Sequence, residues 1–321
     1  MTQRNASENH YYNLFMIEMW RHAERSVRDG HPATLVVVVD HTGSVPGTTG
    51  AAIVVSESGC VGTVGGGIAE HEIVDQAREF SGAPDLIDIE HTPDASGSLC
   101  SGSHILAMLR LTTDDLPVLA EIVATLEGDR VGTLRLAGEG LGFDSDRAAA
   151  QHFVQSEAAW SFSSPIGRLD TLYIFGGGHV SLALSRVMAT LPFRIVVCDD
   201  RPELPTMTAN HFAHELRVVD YGESEKHVAE GDRSWVVVMT YGHEHDATVL
   251  RRLLELDLRY LGLLGSAAKV RQMFARFSAD GVAQERLDRV SAPVGVSIGS
   301  HTPEEIAISI AAEIVQLKNR S

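Results

Sequence analysis

Cysteine is scarce in this sequence: there are three in 321 residues, Cys60, Cys100 and Cys198. The number is odd and the spacing too wide for a zinc-type Cys-x-x-Cys pair, so neither a disulfide framework nor a Cys-x-x-Cys zinc site is expected. The three read as reduced thiols of a cytoplasmic protein. Positive charge is also short. The 26 Lys and Arg stand against 43 Asp and Glu, a formal charge of −17 at pH 7. Such a field repels phosphate backbones and anionic headgroups, so neither a nucleic-acid nor a membrane partner is expected. No window approaches the ~18 consecutive apolar residues of a membrane-spanning helix. The opening stretch, MTQRNASENHYYNLFMIEMW, lacks the basic start and unbroken apolar core of a secretory signal. There is no internal repeat, no low-complexity tract and no GxxxxGK[ST] phosphate loop.

What is present reads as two α/β modules. In the first half, Leu14, Ile17, Trp20 and Val27 recur at helical spacing and predict an amphipathic helix over about 11–29. TLVVVVD (34–40) is an apolar, β-branched run and predicts a buried strand, followed by an irregular Gly/Pro/Thr-rich segment, HTGSVPGTTG. AAIVV, LIDIEH and HILAMLRL predict further strands. Helices are expected from near Ile68 and over DDLPVLAEIVATLEG. Periodicity weakens between about Gly140 and Leu169, which places a linker or domain boundary, with room for edge strands, at 151–169 between a module at 1–150 and one at 170–321. From there strands and helices alternate regularly: TLYIF, FRIVVCD, LRVVD, SWVVVMT, RYLGLLGS and VGVSIG are six strands, and PEEIAISIAAEIVQLK is the closing helix. The fold class is therefore α/β, a mixed N-terminal module plus a C-terminal Rossmann-like doubly wound parallel sheet.

The strongest local signal is YIFGGGHVSLAL, where a strand passes through Gly176, Gly177 and Gly178 into a helix beginning at His179. The pattern is G-x-G-x-x-S, with Ser181 in the third place of the dinucleotide fingerprint. Asp199 ends the next strand, 23 residues after Gly176. That agrees with the roughly 20-residue spacing to an acid that bonds a ribose hydroxyl. The turn suits a nucleotide or phosphate-bearing ligand, or it packs helix against strand with nothing bound. Gly65, Gly66 and Gly67 enter another helix and form a second candidate anion cradle or a second structural turn.

His243, Glu244, His245 and Asp246 follow the fourth strand of the second module. They read as a helix start rather than a metal centre, since no distant ligand set completes them. Thr302, Pro303 and Glu305 have the spacing of a capping box. Cys198 lies in an apolar strand and reads as inert core, and Cys60 as a structural thiol in a turn or strand edge. Cys100, in SGSLCSGSHI, sits among small residues, and local chemistry leaves it open between a packed and a reactive thiol.

Taken in order, HTGSVPGTTGAAIVV, GTVGGGIAEHEIVDQA, the Cys100 loop, YIFGGGHVSLALSRV, VVCDDRPE, VVVMTYGHEHD, YLGLLGSAAKV and APVGVSIGSHTPEEIAISIAAEIV resemble the XdhC/CoxI family of xanthine dehydrogenase accessory proteins. The resemblance runs through both halves. It implies a maturation factor rather than a turnover enzyme. Such a factor binds the molybdenum cofactor, in mono- or dinucleotide form, helps it gain its sulfido ligand and passes it to an apo-molybdenum hydroxylase. It also implies a homodimer and a cysteine desulfurase as sulfur source. Carried over, Cys100 becomes the thiol that handles cofactor sulfur or meets the molybdenum. Gly43, Ser44, Gly65, Gly66 and Gly67 become pocket-lining positions, and Gly176, Gly177, Gly178, His179 and Asp199 hold the phosphate or nucleotide end. This chain has Cys-Ser-Gly where the family typically has Cys-Gly-Gly, and Pro46-Gly47 where it usually has Pro-Arg. It has Thr240-Tyr241 in place of Thr-His, and Ala267-Ala268 in place of a basic pair. Two other functions remain open on the residues: an NAD(P)-dependent oxidoreductase resting on the glycine turn and Asp199, and a sulfur-transfer enzyme resting on Cys100.

Overall fold

All four valines of 36–39 are buried, which a strand achieves only when both of its faces are covered. A computed structural model describes residues 11–45, 47–66, 68–91, 101–128, 130–145, 147–167 and 170–320 of the chain. The chain divides into two compact units, Asn13–Gly167 and Arg168–Ser321.

The first unit opens with α1 (Tyr11–Arg28), β1 (Ala33–Ser44), β2 (Ala52–Ser56), β3 (Gly59–Gly62) and α2 (Ile68–Glu79). It continues through β4 (Asp85–His91), β5 (Ser101–Leu111), α3 (Leu116–Glu127), β6 (Gly132–Ala137), β7 (Gly140–Ser145), β8 (His152–Gln155) and β9 (Trp160–Ile166). A five-stranded antiparallel sheet has the order β3-β2-β1-β5-β4. Alternate residues of its central strand feed two cores. Leu35, Val37 and Val39 pack with Ile17 and Trp20 of α1 and Leu119 and Ile122 of α3, while Val36 and Val38 pack with Ile73 and Ala77 of α2. A second antiparallel sheet, β7-β6-β9-β8, contributes Leu134, Leu136 and Phe162 to the core that holds α1 and α3.

β1 runs on through Gly43–Ser44 into the segment expected to be irregular, because β5 keeps pairing with it beyond a register shift between Val38 and Asp40. The stretch 151–169, expected to be a linker or domain boundary with room for edge strands, carries β8 and β9, whose pairing with each other and with β6 ties them to the first unit. The division falls at Gly167/Arg168.

The second unit contains β10 (Asp170–Phe175), α4 (His179–Met188), β11 (Phe193–Asp199), the short α5 (Pro205–Thr208), β12 (Glu215–Val218) and β13 (Gly231–Val238). These are followed by α6 (His243–Leu253), β14 (Leu258–Leu263), α7 (Ala267–Ala279), α8 (Gln284–Asp288), β15 (Val290–Ser291) and α9 (Pro303–Lys318). All six strands are parallel, in the order β12-β11-β10-β13-β14-β15. This is the doubly wound Rossmann order, with the switch point between β10 and β13, on either side of the first strand's carboxyl end. Leu172 and Ile174 pack against Leu184 of α4 and Ile310 of α9. Tyr173 and Phe175 face Leu250 of α6 and Phe277 of α7. Thr302 caps α9 as expected: its hydroxyl accepts from the Glu305 N–H at 3.2 Å, and Glu305 accepts from the Thr302 N–H at 3.0 Å.

The sixth strand is not VGVSIG but Val290–Ser291, four residues upstream. Gly295 and Gly299 of VGVSIG have φ of +101° and +72°, and the Val296 N–H turns to the Ser309 carbonyl of α9. Alternating side chains suggested a strand, and the glycine torsions break it.

Candidate functional site

Sheet pairing places Gly43 opposite Gly102 and Ser44 opposite Ser101, so the first glycine loop starts beside the two residues that follow Cys100 in the sequence. Cys100 and Gly67 lie outside the described residues. A Cβ on Gly102 would overlap the Thr42 carbonyl, which fixes how closely the two strands approach. The loop itself closes through the His41 ring, whose Nδ1 lies 2.8 Å from Thr49 Oγ1, and through the Ala51 N–H on the Thr48 carbonyl. Gly47 sits in this loop at φ +85°, and a Cβ there would overlap the Val64 carbonyl. Glycine instead of a longer side chain at 47 therefore has a steric cause: the 41–50 loop rests on the 64–66 turn.

That second turn is an anion cradle already filled by the chain itself. Glu70, in the first turn of α2, accepts with Oε2 from the backbone N–H of Val64 and of Gly66, each at 2.9 Å, and from the Thr63 hydroxyl at 2.5 Å. The Gly65 N–H donates to Thr63 Oγ1 at 3.1 Å. The donors expected to face a ligand at Gly65 and Gly66 are thus committed within the protein. Burial pushes the Glu70 carboxyl up, but these hydrogen bonds outweigh it and hold the group below the ordinary glutamate value.

A depressed folded value stabilises the turn above the unfolded pKa of about 4.3, and the contribution is lost as pH falls through the folded value. Glu70→Gln should remove that dependence. In urea unfolding followed from pH 7 to pH 3, the wild-type advantage over the variant should shrink toward the acid end. An advantage that stayed constant would sink this account of the turn.

In the second unit the strand ends converge as the fingerprint predicts, with a different division of labour. Gly176 has φ +112°, and its N–H donates to the Cys198 carbonyl at 2.7 Å. Gly177 is buried, and its N–H donates to Asp199 Oδ2 at 2.6 Å. Gly178 is the N-cap of α4, and His179, its first helical residue, is exposed.

Asp199 is fully buried. Its Oδ1 accepts from the Arg201 backbone N–H at 3.0 Å and from Arg201 Nε at 2.7 Å, and its Oδ2 from Gly177 N and from Arg201 Nη2 at 2.8 Å. Each oxygen therefore already accepts twice. The expected ribose contact is not open to this carboxylate, whose lone pairs hold Arg201 and the glycine turn instead. Burial pushes Asp199 up, while the Arg201 and backbone bonds prevail and bring it below the usual aspartate value. Arg201 in turn is raised, foremost by its side-chain bonds to Asp199.

Beside this pair lies a cavity of about 430 Å³, bordered by Gly178, His179, Arg201, Thr206, Thr240 and Tyr241. Tyr241 is half exposed and bridges the strand ends on either side of β10: its hydroxyl donates to Asp200 Oδ2 at 3.0 Å. The Arg201 guanidinium carbon lies 4.2 Å from the Tyr241 ring centre, and the His245 ring lies 4.3 Å from it. Asp246 accepts from the Thr240 N–H at 2.8 Å and from the Thr240 hydroxyl at 2.6 Å, fixing the turn that presents Tyr241. Glu244 pairs with Arg276 on the surface. Among the described residues no group of three or more His, Cys, Asp or Glu is placed to hold a metal ion.

Cys198 is buried in β11, and burial pushes its thiol up to about 12, so it stays protonated and inert. Cys60 is exposed on β3, an edge strand of its sheet. Residue reading alone missed Glu70 and Arg201. The signal for Arg201 was Asp-Asp-Arg at a strand end, and for Glu70 an acid in the turn after a glycine run. No helix among the described residues is long and apolar enough to cross a membrane.

Residues 172–314 match the family described as the XdhC Rossmann domain, and residues 26–89 the XdhC and CoxI family. The chain is 28% identical over 297 residues to the uncharacterized protein YqeB of Escherichia coli K12, covering 90% of this chain and 44% of that protein. It is 30% identical over 149 residues to a probable xanthine dehydrogenase subunit of Bacillus subtilis 168, covering 46% of this chain and 43% of that one. It thus spans less than half the length of these curated relatives. A crystal structure of a xanthine dehydrogenase from Bacillus halodurans shares the fold, with a TM-score of 0.73 at 21% identity over 95% of this chain and 96% of that one.

Proposed function

The chain belongs to the XdhC family, and from that premise we propose that it is an accessory factor of a xanthine dehydrogenase-type molybdenum hydroxylase. It takes up the molybdenum cofactor as cargo, shields it, assists its sulfuration and hands it to the apo-enzyme. The observation that supports this most directly is the pairing of Gly43–Ser44 with Gly102–Ser101, which brings the first glycine loop to the residues adjoining Cys100. A soft thiolate suits a molybdenum centre bearing oxo and sulfido ligands, and it is exchangeable. Cys100 is the thiol assigned to that contact. In this reading a cysteine desulfurase supplies the sulfur, and two copies of the chain act together. The oxidoreductase alternative loses its diol-binding acid, because Asp199 is committed to Arg201 and Gly177.

Cargo binding tests the assignment. Molybdenum cofactor released from a donor enzyme should bind the purified protein saturably, and Cys100→Ala should weaken binding by about tenfold or more, the loss of one strong ligand contact. Equal binding by the variant would remove Cys100 from the site, and no saturable binding by the wild type would remove the function.

A further inference from the structure

Seven large apolar or aromatic side chains are well exposed among the described residues, and three of them fall close together in the second unit. Val296 and Ile298 lie in the loop before α9, and Ile308 lies on α9 itself. Ile298 and Ile308 are each 53% exposed. Scattered singly, such residues need no explanation; gathered, they mark a surface that meets another molecule.

The backbone that carries them is fixed. The Val294 N–H donates to the Leu263 carbonyl of β14 at 3.0 Å, and the Val296 N–H to the Ser309 carbonyl at 3.1 Å. Between them the Gly295 N–H donates to Glu313 Oε2 at 2.6 Å. Ser309 Oγ donates back to the Val296 carbonyl at 2.6 Å. Gly295 approaches α9 so closely that a Cβ there would overlap Ser309 Oγ. Val296 is therefore tied beside the turn of α9 that carries Ile308. A backbone ordered before contact loses little entropy when a partner arrives.

Charge says what kind of partner fits. No Lys or Arg occurs between Arg289 and Lys318, while Glu304 and Glu305 open α9. Glu305 is engaged in the cap, accepting from the His301 and Thr302 N–H groups. Glu304 is exposed one helical turn before Ile308 and enters no ion pair among the described residues. An isologous second copy would set this acidic stretch, which has no cation of its own, against itself. The molecule already carries a formal charge of −17, and like charges across an interface are unfavourable. The complementary surface is apolar at its centre and basic at its edge.

We propose that Val296, Ile298 and Ile308, with Glu304 on their rim, form a docking surface for another protein, one that presents an apolar groove flanked by Lys or Arg. The three apolar side chains are the anchors, and the glutamate sets orientation and encounter rate. The proposal rests on the accessory reading for the identity of that protein, which is then the apo-hydroxylase.

The experiment is biolayer interferometry of the full chain against the apo-hydroxylase of the same organism, at low and at physiological ionic strength. The wild type should bind, and more weakly as salt rises. Ile308→Asp should lower affinity about tenfold or more, the loss expected of a buried apolar anchor. Glu304→Lys changes an exposed position, leaves the core intact and tests the rim if the first variant fails to fold. It should bind several-fold more weakly, with a flatter salt dependence. Val154→Asp, at an exposed apolar residue of the first unit, should bind as the wild type does. Wild-type affinity in Ile308→Asp or in Glu304→Lys, or no hydroxylase binding by the wild type, would each overturn the proposal. Sedimentation of the same proteins reads the competing occupant: self-association lost in Ile308→Asp while hydroxylase affinity holds would assign the surface to a second copy and overturn it too. Cofactor binding, measured alongside, keeps the two readings apart. Its absence in the wild type removes the accessory reading, while docking that is lost in Ile308→Asp stands without it.

Discussion

Asp199→Asn should destabilise the second unit by about 3 kcal/mol, the cost expected when one partner of a buried ion pair is removed. The asparagine keeps the shape but not the chemistry. Both carboxylate oxygens accept twice, from Gly177 N, Arg201 N, Nε and Nη2. An amide replaces one acceptor with an NH2 group and sets donor against donor in a site that is fully buried. The partly exposed Arg201 can regain water, which keeps the cost toward the low end of the range for buried pairs. Because the folded pKa of Asp199 is depressed, the wild-type advantage is present above about pH 4 and fades as pH falls through the folded value. Chemical unfolding of both proteins at pH 7 and pH 3 checks the size and the sign together.

Gly176→Ala should cost about 3 kcal/mol or more, through backbone strain added to overlap. At φ +112° an L side chain is strained, and its Cβ would overlap the Met239 carbonyl and lie 2.9 Å from Thr240 Cα. Met239 cannot withdraw easily, since its N–H donates to the Phe175 carbonyl at 2.8 Å, within the pairing of β10 and β13. Gly178→Ala is the matched control. That position has φ −73° and open space around a new Cβ, so its cost should stay within about 1 kcal/mol, the loss of a glycine N-cap to alanine. A thermal shift of similar size in both variants would contradict the packing described for the turn.

The second unit was largely legible because its strands are buried on both faces. Runs such as FRIVVCD and SWVVVMT carry that burial in their composition, and the glycine turn marks where β10 gives way to α4. VGVSIG misled because Val, Val and Ile alternate as in a strand, while Gly295 takes a left-handed torsion that no alternation reveals. The strands of the second antiparallel sheet were hidden for the opposite reason. HFVQ and WSFSSPI have polar residues along one wet face, and their partners lie in other segments of the chain. Site chemistry was the least legible. Glycine spacing located both turns, yet the anion in one is Glu70, and the acid at the other faces Arg201. Such pairings are tertiary, and spacing along the chain does not encode which donor reaches a carboxylate first. The family resemblance supplied Cys100, which lies outside the described residues.

Delivery of cargo is the central claim, and reconstitution tests it most directly. An apo-hydroxylase of the xanthine dehydrogenase type, supplied with sulfurated molybdenum cofactor, would be assayed for substrate oxidation with and without the full chain. The account predicts that activity appears faster and to a higher final level when the chain is present, and that Cys100→Ala abolishes the gain. Equal rate and extent of activation without the protein would contradict it.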